Sequence, residues 1–186
     1  MSHSTMPNVA VRPVTMDDLP AWWEMRLRAL RDHPEAFGQS YEDARIQAFD
    51  DIVREFRERW TANDNRLLLA CNDAEIPLGT LGIFRQSGSR FAHRMNVWGV
   101  YTLPEWRGQG ISRALLAEAI AYARSLPGVL QIHLTVTTTN VAAKRFYERA
   151  GFIRYGREPR ALLLPDGPID EDLMVLMLDN DSGPQR

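Results

Sequence analysis

The chain has 186 residues, of which 45% are hydrophobic and 25% are charged, and its formal net charge is −2 at pH 7. This length and composition are typical of one globular domain, and they exclude a disordered or fibrous chain. Most nucleic-acid binders are strongly basic, so we expect no nucleic-acid partner. We predict a single domain over residues 1–186, with polar tails at 1–7 and 179–186.

Cys71 is the only cysteine, so no disulfide can form within the chain. A lone thiol is typical of a reducing compartment, and the polar first residues show no apolar signal segment, so we expect a cytoplasmic protein. The apolar runs are far shorter than the roughly 20 residues that span a bilayer, so we expect no membrane partner. The four histidines are scattered, and we expect no metal site.

Hydrophobic periodicity divides the first half of the chain into a short strand, two helices and three further strands. A short strand at Val9–Val11 comes first, and a capping box of Thr15 and Asp18 begins a helix that ends near His33. A second amphipathic helix and three strands follow, at 49–60, 67–71, 76–84 and 95–103. Gly99 lies inside the last of these strands, which indicates a bulge or a close backbone approach.

The second half of the chain alternates helices and strands. An alanine- and leucine-rich helix spans Gln109–Ser125, and a strand with alternating polar and apolar residues spans Gln131–Thr137. The next helix and two late strands are predicted at 140–150, 152–161 and 173–178. The order β α α β β β α β α β β predicts a mixed α/β sheet with helices on both faces.

The sharpest local feature is the turn Pro104–Arg113, which follows a buried strand and opens a helix. A helix N-terminus carries a partial charge of about +0.5 and free N–H groups, which suits a phosphate. Gly108 and Gly110 let the backbone approach such a group, and Arg107 adds a charged donor. The turn lacks the motifs of nucleotide hydrolases and of dinucleotide-binding loops. Taken alone, it also fits a glycine-rich turn that only starts a helix.

Two segments resemble one known family. The stretch Val100–Ile111 resembles the coenzyme-A motif of the GNAT N-acetyltransferases, Arg/Gln-x-x-Gly-x-Gly/Ala after a strand and a proline. Asn140–Phe152 resembles the later helix of that family, Asn-x-x-Ala-x-x-hydrophobic-Tyr-x-x-x-Gly-Phe. The resemblance implies a mixed, mostly antiparallel central sheet of about seven strands, with helices on both faces and a splay at the coenzyme site.

The resemblance also implies acetyl-CoA as cosubstrate and a role for each matching residue. Backbone groups of Val100, Tyr101 and Thr102 would pair with the pantetheine arm. The turn would hold the pyrophosphate, through Arg107, Gly108, Gln109, Gly110, Ile111, Ser112 and Arg113. Asn140 would hydrogen-bond the coenzyme, and Tyr147 would be the catalytic acid that protonates the leaving thiolate.

Some of these residues have structural alternatives. Tyr147 lies four residues after Ala143 on a helix and could serve only in packing. Asn140 could cap that helix, a role that is compatible with coenzyme binding. Ser112 stands where the motif has Gly or Ala, and its small side chain should leave the site open or donate to a phosphate.

The general base is left unassigned. Some family members carry a glutamate on the strand before the asparagine helix, where this chain has Thr135, and others on the central strand, where it has Asn96 and Trp98. His133 shares the strand face of Thr135 and is either a base or an ordinary surface residue. Further candidates lie on or after the first helix, at Glu24 and Glu42.

The family resemblance places the acceptor cleft at the first two helices and the last strands. Aromatic candidates for its wall are Trp22, Trp23, Phe37, Tyr41 and Trp98. Basic residues there could bind a substrate carboxylate or phosphate, or form a solvated face: Arg154, Arg157 and Arg160. We predict acetyl transfer to a primary amine of a small molecule. Two alternative functions stay open: a coenzyme-binding sensor or partner-binding module without turnover, and a protein N-acetyltransferase. A homodimer stays open as the assembly.

Overall fold

A computed structural model of the chain describes residues 9–61 and 64–178, which contain a seven-stranded sheet. The strands are β1 (Ala10–Pro13), β2 (Arg66–Cys71), β3 (Pro77–Arg85), β4 (Arg94–Thr102), β5 (Gln131–Thr137), β6 (Ile153–Leu164) and β7 (Gly167–Met177). The helices are α1 (Leu19–Asp32), α2 (Tyr41–Arg45), α3 (Phe49–Glu55), α4 (Ile111–Ser125) and α5 (Val141–Arg149). Within these ranges, no helix has the length and apolar character needed to cross a membrane.

The strand order is β1-β2-β3-β4-β5-β7-β6, and only the β4–β5 pair is parallel. This confirms the predicted mixed, mostly antiparallel sheet. β4 and β5 pair only where Arg94–Asn96 meets Gln131–His133. From Val97 onward, the β5-facing edge of β4 has no strand partner in the described part of the chain. The predicted splay is therefore present, and it opens a cleft in the middle of the sheet.

A bulge at Gly99 shapes the open half of β4. Gly99 has φ +62°, and the β3–β4 register shifts between Thr80 and Gly82. The extra residue resets the alternation of side chains, so Trp98 and Tyr101 both pack in the core beneath α1 although they are three positions apart. The bulge expected from the sequence is confirmed.

Helices cover both faces of the sheet, as predicted. On one face, α4 and α5 pack on β3, β4, β5 and β7 through a core that includes Leu81, Leu115, Ile132, Tyr147 and Met174. On the other face, α1 and α3 pack on β2 through a core that includes Leu19, Trp22, Ile52, Phe56 and Leu69. The cleft between β4 and β5 therefore lies between two rigid layers.

Several predicted boundaries were wrong. The helix predicted from Gln109 begins at Ile111, because Gly110 has φ +82° and serves as the N-cap. The helix predicted over 49–60 is helical to Glu55 and then continues as a π-helical turn over Phe56–Trp60. The short helix α2 was not predicted.

The last two strands form a longer hairpin than predicted. β6 extends to Leu164, and β7 begins at Gly167 rather than at 173. The apolar pattern missed the start of β7 because three acidic residues, Asp170, Glu171 and Asp172, lie there, two of them opposite Arg157 and Glu158 of β6. The predicted polar tails lie outside the described residues.

Candidate active site

A cavity of about 770 Å³ opens between the end of β4, the start of α4 and the helix α5. It brings together residues that are far apart in the sequence. The predicted site residues that line this cavity are Val100, Tyr101, Thr102, Arg107, Gly108, Gly110, Ile111, Ser112, Arg113, Asn140 and Tyr147. Gln109 is half-buried in the turn and does not line it. We call this space the coenzyme cavity.

The turn before α4 presents bare backbone to the coenzyme cavity. Gly108 and Gly110 have φ values of +76° and +82°, which only glycine adopts without strain. A Cβ atom placed on either residue would meet no atom within 4 Å, so the space in front of both is open. The first backbone bond into α4 is from Ala114 N to Gly110 O, so the earlier amides of the helix need other acceptors. This geometry suits an anion.

Three arginines add positive charge to the wall of the coenzyme cavity: Arg107, Arg113 and Arg149. Arg107 is partly engaged already, because its Nε donates to the Thr102 carbonyl oxygen at 3.2 Å and its Nη2 lies 2.8 Å from His33 Nε2. These contacts hold the turn against β4. A contact from Arg107 to a phosphate stays a prediction.

Ser112 and Asn140 both make internal contacts at the cavity wall. The Ser112 and Thr102 hydroxyl oxygens lie 2.8 Å apart, so the serine fits the motif position by bonding to β4. Asn140 caps α5, and its Oδ1 accepts from the Ala143 backbone N–H at 3.1 Å. The capping role therefore holds, and the amide nitrogen of Asn140 remains for a ligand.

Tyr147 stands where the coenzyme cavity meets the splay. Its side chain lines both that cavity and a smaller one of about 100 Å³ between β4 and β5. Phe146 and Phe152 flank its ring, with centroid distances of 5.1 and 5.9 Å. Burial raises the pKa of the Tyr147 phenol well above its usual value, so the hydroxyl stays protonated at neutral pH. Tyr147 packs in the core and also reaches the cleft.

An ion cluster around one buried carboxylate fixes α5 to the sheet. Asp172 on β7 has a side chain only 1% exposed, and Lys144 on α5 contacts it at 2.7 Å. Arg154 and Arg157 contact the same carboxylate at 3.2 and 3.0 Å. Both arginines are exposed and pair with Asp172, which agrees with the solvated-face interpretation, and a contact with the acceptor stays a prediction. Arg160 is exposed further along β6.

The base candidate His133 and Thr135, which stands where some family members have a glutamate, lie on one face of β5. His133 Nδ1 lies 3.2 Å from the Tyr155 hydroxyl, and burial lowers the pKa of its imidazole. Thr135 lines the smaller cavity at the splay. Its hydroxyl is close enough to Glu171, a half-buried residue of β7, to lower the pKa of that carboxyl.

Glu171 is the acidic residue that sequence reasoning missed. In the sheet, Glu171 lies opposite Thr137 of β5 on one side and opposite Glu158 of β6 on the other. Burial, together with the Glu158 charge, raises the pKa of its carboxyl above the usual range despite the nearby Thr135 hydroxyl. No local motif surrounds Glu171, and only the register of β7 brings it beside Thr135.

Three other residues considered in the search for a base, Asn96, Glu24 and Glu42, do not line the smaller cavity at the splay. Asn96 donates from Nδ2 to Gln86 Oε1 at 2.9 Å on an exposed part of the sheet. Glu24 lines a separate surface cavity on the outer side of α1. Glu42 is exposed and pairs with Arg45 at 2.6 Å.

The aromatic residues proposed for the acceptor cleft divide between cavities. Trp22, Trp23 and Trp98 line a cavity of about 330 Å³ between α1, α3 and β4, which we call the acceptor-side cavity. Phe37 lines the coenzyme cavity and the splay. Tyr41 instead lines the surface cavity on the outer side of α1.

Comparison with known proteins agrees with this geometry. The chain matches the model of the Acetyltransferase (GNAT) family over residues 22–152. It is 32% identical over 148 residues to a mycothiol acetyltransferase of Nocardiopsis dassonvillei, and the match covers 77% of this chain and 42% of that protein. The chain thus spans less than half the length of that relative.

Solved structures share the fold. The acetyltransferase of the GNAT family from Streptococcus pneumoniae has a TM-score of 0.82 at 20% identity, covering 92% of this chain and 100% of that one. An acetyltransferase from Salmonella typhimurium, solved with its cofactor acetyl-CoA, has a TM-score of 0.80 at 22% identity, covering 96% and 98%. At these identities the likeness concerns the fold alone.

Proposed function

Because the chain belongs to the acetyltransferase (GNAT) family, we propose that it transfers an acetyl group from acetyl-CoA to the primary amine of a small molecule. One observation carries the proposal. The edge of β4 that β5 leaves open runs directly into the Gly108–Gly110 turn and the start of α4, with Tyr147 facing it across the cleft.

The residues on the cavity wall fit coenzyme A. Open backbone at Gly108 and Gly110, followed by the first amides of α4, suits the pyrophosphate. Among the described residues that line the cavity, there are three arginines and one glutamate, Glu35. This excess of positive charge favours a ligand with several phosphates. The open edge of β4 offers backbone groups to an extended amide chain such as pantetheine.

Acetyl-CoA supplies the acetyl group as a thioester, from which an amine displaces the thiolate. A C–N bond forms and the C–S bond breaks, so the amine loses a proton and the sulfur gains one. Backbone N–H groups of the open β4 edge are the donors that the chain offers to the carbonyl oxygen. Tyr147 carries a proton at the cleft and can donate it to the sulfur.

We propose Glu171 as the group that accepts the proton of the amine, directly or through Thr135. Its raised pKa places the acidic limb of the kcat/KM profile above the pH expected for an ordinary glutamate, whose pKa is about 4.3. Glu171→Gln should lower kcat/KM at least about tenfold and abolish that limb. The measurement is kcat/KM against pH for both proteins.

Glu158→Gln separates this role from a general loss of charge. Removing the Glu158 charge should lower the pKa of Glu171, so the acidic limb moves to lower pH while activity at neutral pH stays. A Glu171→Gln enzyme with the wild-type rate and the wild-type limb would exclude Glu171 as the proton acceptor.

Coenzyme binding is tested by calorimetric titration with acetyl-CoA. Gly110→Glu should weaken binding at least about tenfold, because it puts a carboxylate and a strained side chain where the phosphates would lie. Gly128→Glu is the matched control, since Gly128 also has a positive φ, +73°, with no atom within 4 Å of its Cβ position, and lies outside the cavity.

The outcomes distinguish the candidate functions. Binding that Gly110→Glu weakens and Gly128→Glu keeps, together with acetylation of an amine, supports the transferase. Tight binding without turnover across a broad amine panel would favour a sensor or partner-binding module. Acetylation of peptides alone would favour a protein N-acetyltransferase. If the wild type bound no acetyl-CoA, the proposal would be wrong.

The remaining expectations are part of the same proposal. We propose that residues 1–186 act as one unit, without a metal, a nucleic-acid partner or a membrane partner. A cytoplasmic location is supported by the single thiol, Cys71, which is buried and free. A homodimer is proposed only as the commonest closed assembly, and sedimentation would test it.

A further inference from the structure

Arg26 on α1 is a buried cation. The residue is 3% exposed, and its guanidinium lies between two aromatic rings, 4.7 Å from the Phe37 centroid and 4.4 Å from the Trp98 centroid. Burial lowers the pKa of Arg26 to about 10, so the group remains charged at neutral pH. A buried charge is costly unless it is paired and hydrogen-bonded.

The guanidinium lacks that pairing within residues 9–61 and 64–178. Its Nε and Nη1 atoms are buried without a hydrogen-bond partner there, and its Nη2 makes only a long bond of 3.4 Å to Gln39. Glu55 is the carboxylate whose charge acts on Arg26, but Glu55 lies 3.7 Å from Arg59. The two rings interact with the guanidinium charge but leave the Nε and Nη1 donors without an acceptor.

Arg26 faces the acceptor-side cavity, whose walls suit a small organic anion. Arg26 and Arg59 line it with Trp22, Trp60 and Trp98. Arg59 stacks on Trp60 at 5.0 Å, so the second cation is also held by a ring. Among the described residues, the charged side chains that line this cavity are two arginines and one glutamate, Glu55, so its wall carries an excess of positive charge. The balance favours an anion and disfavours a polycation such as a polyamine.

The acceptor-side cavity adjoins the place where the reaction would occur. Trp98 lines both this cavity and the smaller cavity at the splay, which Tyr147 also lines. A Cβ on Gly99, at the bulge of β4, would lie 3.7 Å from Arg26 Nη1. A ligand bound to Arg26 can therefore reach the open edge of β4.

We propose that the acceptor is an amine that also carries an oxyanion, a carboxylate or a phosphate, and that Arg26 binds this anion. The inference rests on the proposed acetyl transfer and narrows its substrate class. An oxyanion would supply the missing partner of the buried guanidinium, with charge-assisted hydrogen bonds to Nε and Nη1. The amine of the same molecule would then lie toward the splay.

The first test compares matched acceptors. Amino acids and aminoalkyl phosphates are assayed beside the corresponding amines that lack the acidic group, at saturating acetyl-CoA. The wild type should have a kcat/KM at least about tenfold higher for one anionic series. Arg26→Met should abolish that preference, measured as the ratio of the kcat/KM values for the anionic amine and its matched neutral amine. Methionine keeps the apolar stem and removes a buried charge, so the variant should fold.

Arg31→Met is the matched control, since Arg31 lies on the same helix, is exposed and pairs with Asp32. It should keep the preference for anionic acceptors. A wild type that acetylates both kinds of amine equally, or an Arg26→Met enzyme that keeps the preference, would overturn the inference while leaving the acetyl transfer intact.

A binding measurement covers the case of an enzyme that turns over none of these amines. Tryptophans line the acceptor-side cavity, so N-acetyl amino acids and alkyl phosphates can be titrated by fluorescence with coenzyme A present. A saturable change in the wild type that Arg26→Met loses and Arg31→Met keeps supports the anion site. No change in the wild type, or the same change in Arg26→Met, overturns it.

Discussion

Replacing Tyr147 with phenylalanine should lower kcat by about 100-fold or more. The substitution removes the hydroxyl and keeps the ring that packs between Phe146 and Phe152, so the core survives. Acetyl-CoA affinity should stay within about threefold, because the predicted phosphate contacts lie elsewhere, on the turn before α4. Steady-state rates and calorimetric titration of the same preparations make the comparison.

The pH profile adds a second check on Tyr147. Because burial raises the pKa of this phenol, any loss of rate that is due to its ionisation should lie above pH 10 in the wild type. Tyr122→Phe, on α4 and outside the coenzyme cavity, is the control for removal of a tyrosine hydroxyl. Normal turnover by Tyr147→Phe would show that another group, or water, protonates the thiolate.

Asp172→Asn should be the most destabilising conservative substitution in the hairpin of β6 and β7. Asp172 is the shared counter-charge of Lys144, Arg154 and Arg157, and the variant leaves these three cations facing a neutral amide. We expect a loss of about 3 kcal/mol in the free energy of unfolding, the low end for breaking a buried ion pair, because the cations keep access to water. This corresponds to a fall in Tm of roughly 6–12 °C.

Acid titration of stability tests the same carboxylate. Burial alone would raise the pKa of Asp172, but hydrogen bonds from Lys144, Arg157 and Arg154 outweigh it and hold the pKa well below the usual range. Its contribution is therefore present above about pH 3.9, the pKa in the unfolded chain, and is lost as pH falls below that value. Asp172→Asn should flatten this acid limb.

A matched control exists in the same hairpin. Asp166→Asn makes the same change at an exposed position in the turn between β6 and β7 and should leave Tm nearly unchanged. Equal Tm values for the two variants would mean that the ion cluster contributes nothing to stability. Because Lys144 lies on the helix that carries Tyr147, a partly active Asp172→Asn enzyme should also show a lower kcat.

Features that depend on a few neighbouring residues could be predicted from the sequence. The cap at Asn140 and the bulge at Gly99 each follow from what one residue type permits. The two helices with motif residues and the strand between them were placed to within about two residues, because periodicity and caps are local signals. The residues expected at the coenzyme cavity came instead from the resemblance of two motifs to the GNAT family.

Features that depend on register and long-range packing could not be predicted. Arg157 was taken as a possible acceptor contact, but the register of β7 places Asp172 opposite it. The same register brings Glu171 close to Thr135. No local sequence pattern indicates that an acidic residue in this polar strand lies near a residue of the cleft. Arg26 was one of several charged residues on α1, and only the packing of Phe37 and Trp98 buries it.

The sequence by itself determined the family fold, and its two motifs marked the turn at Gly108–Gly110 and the tyrosine at the cleft, because φ preferences, caps and side-chain periodicity act within a few residues. Only the tertiary structure decided which ionisable groups face the cleft. A shift of one residue in strand pairing moves every side chain to the other face of the sheet, and burial depends on elements far away in the chain. The base candidate Glu171 and the anion-binding candidate Arg26 could therefore be identified only from the folded structure.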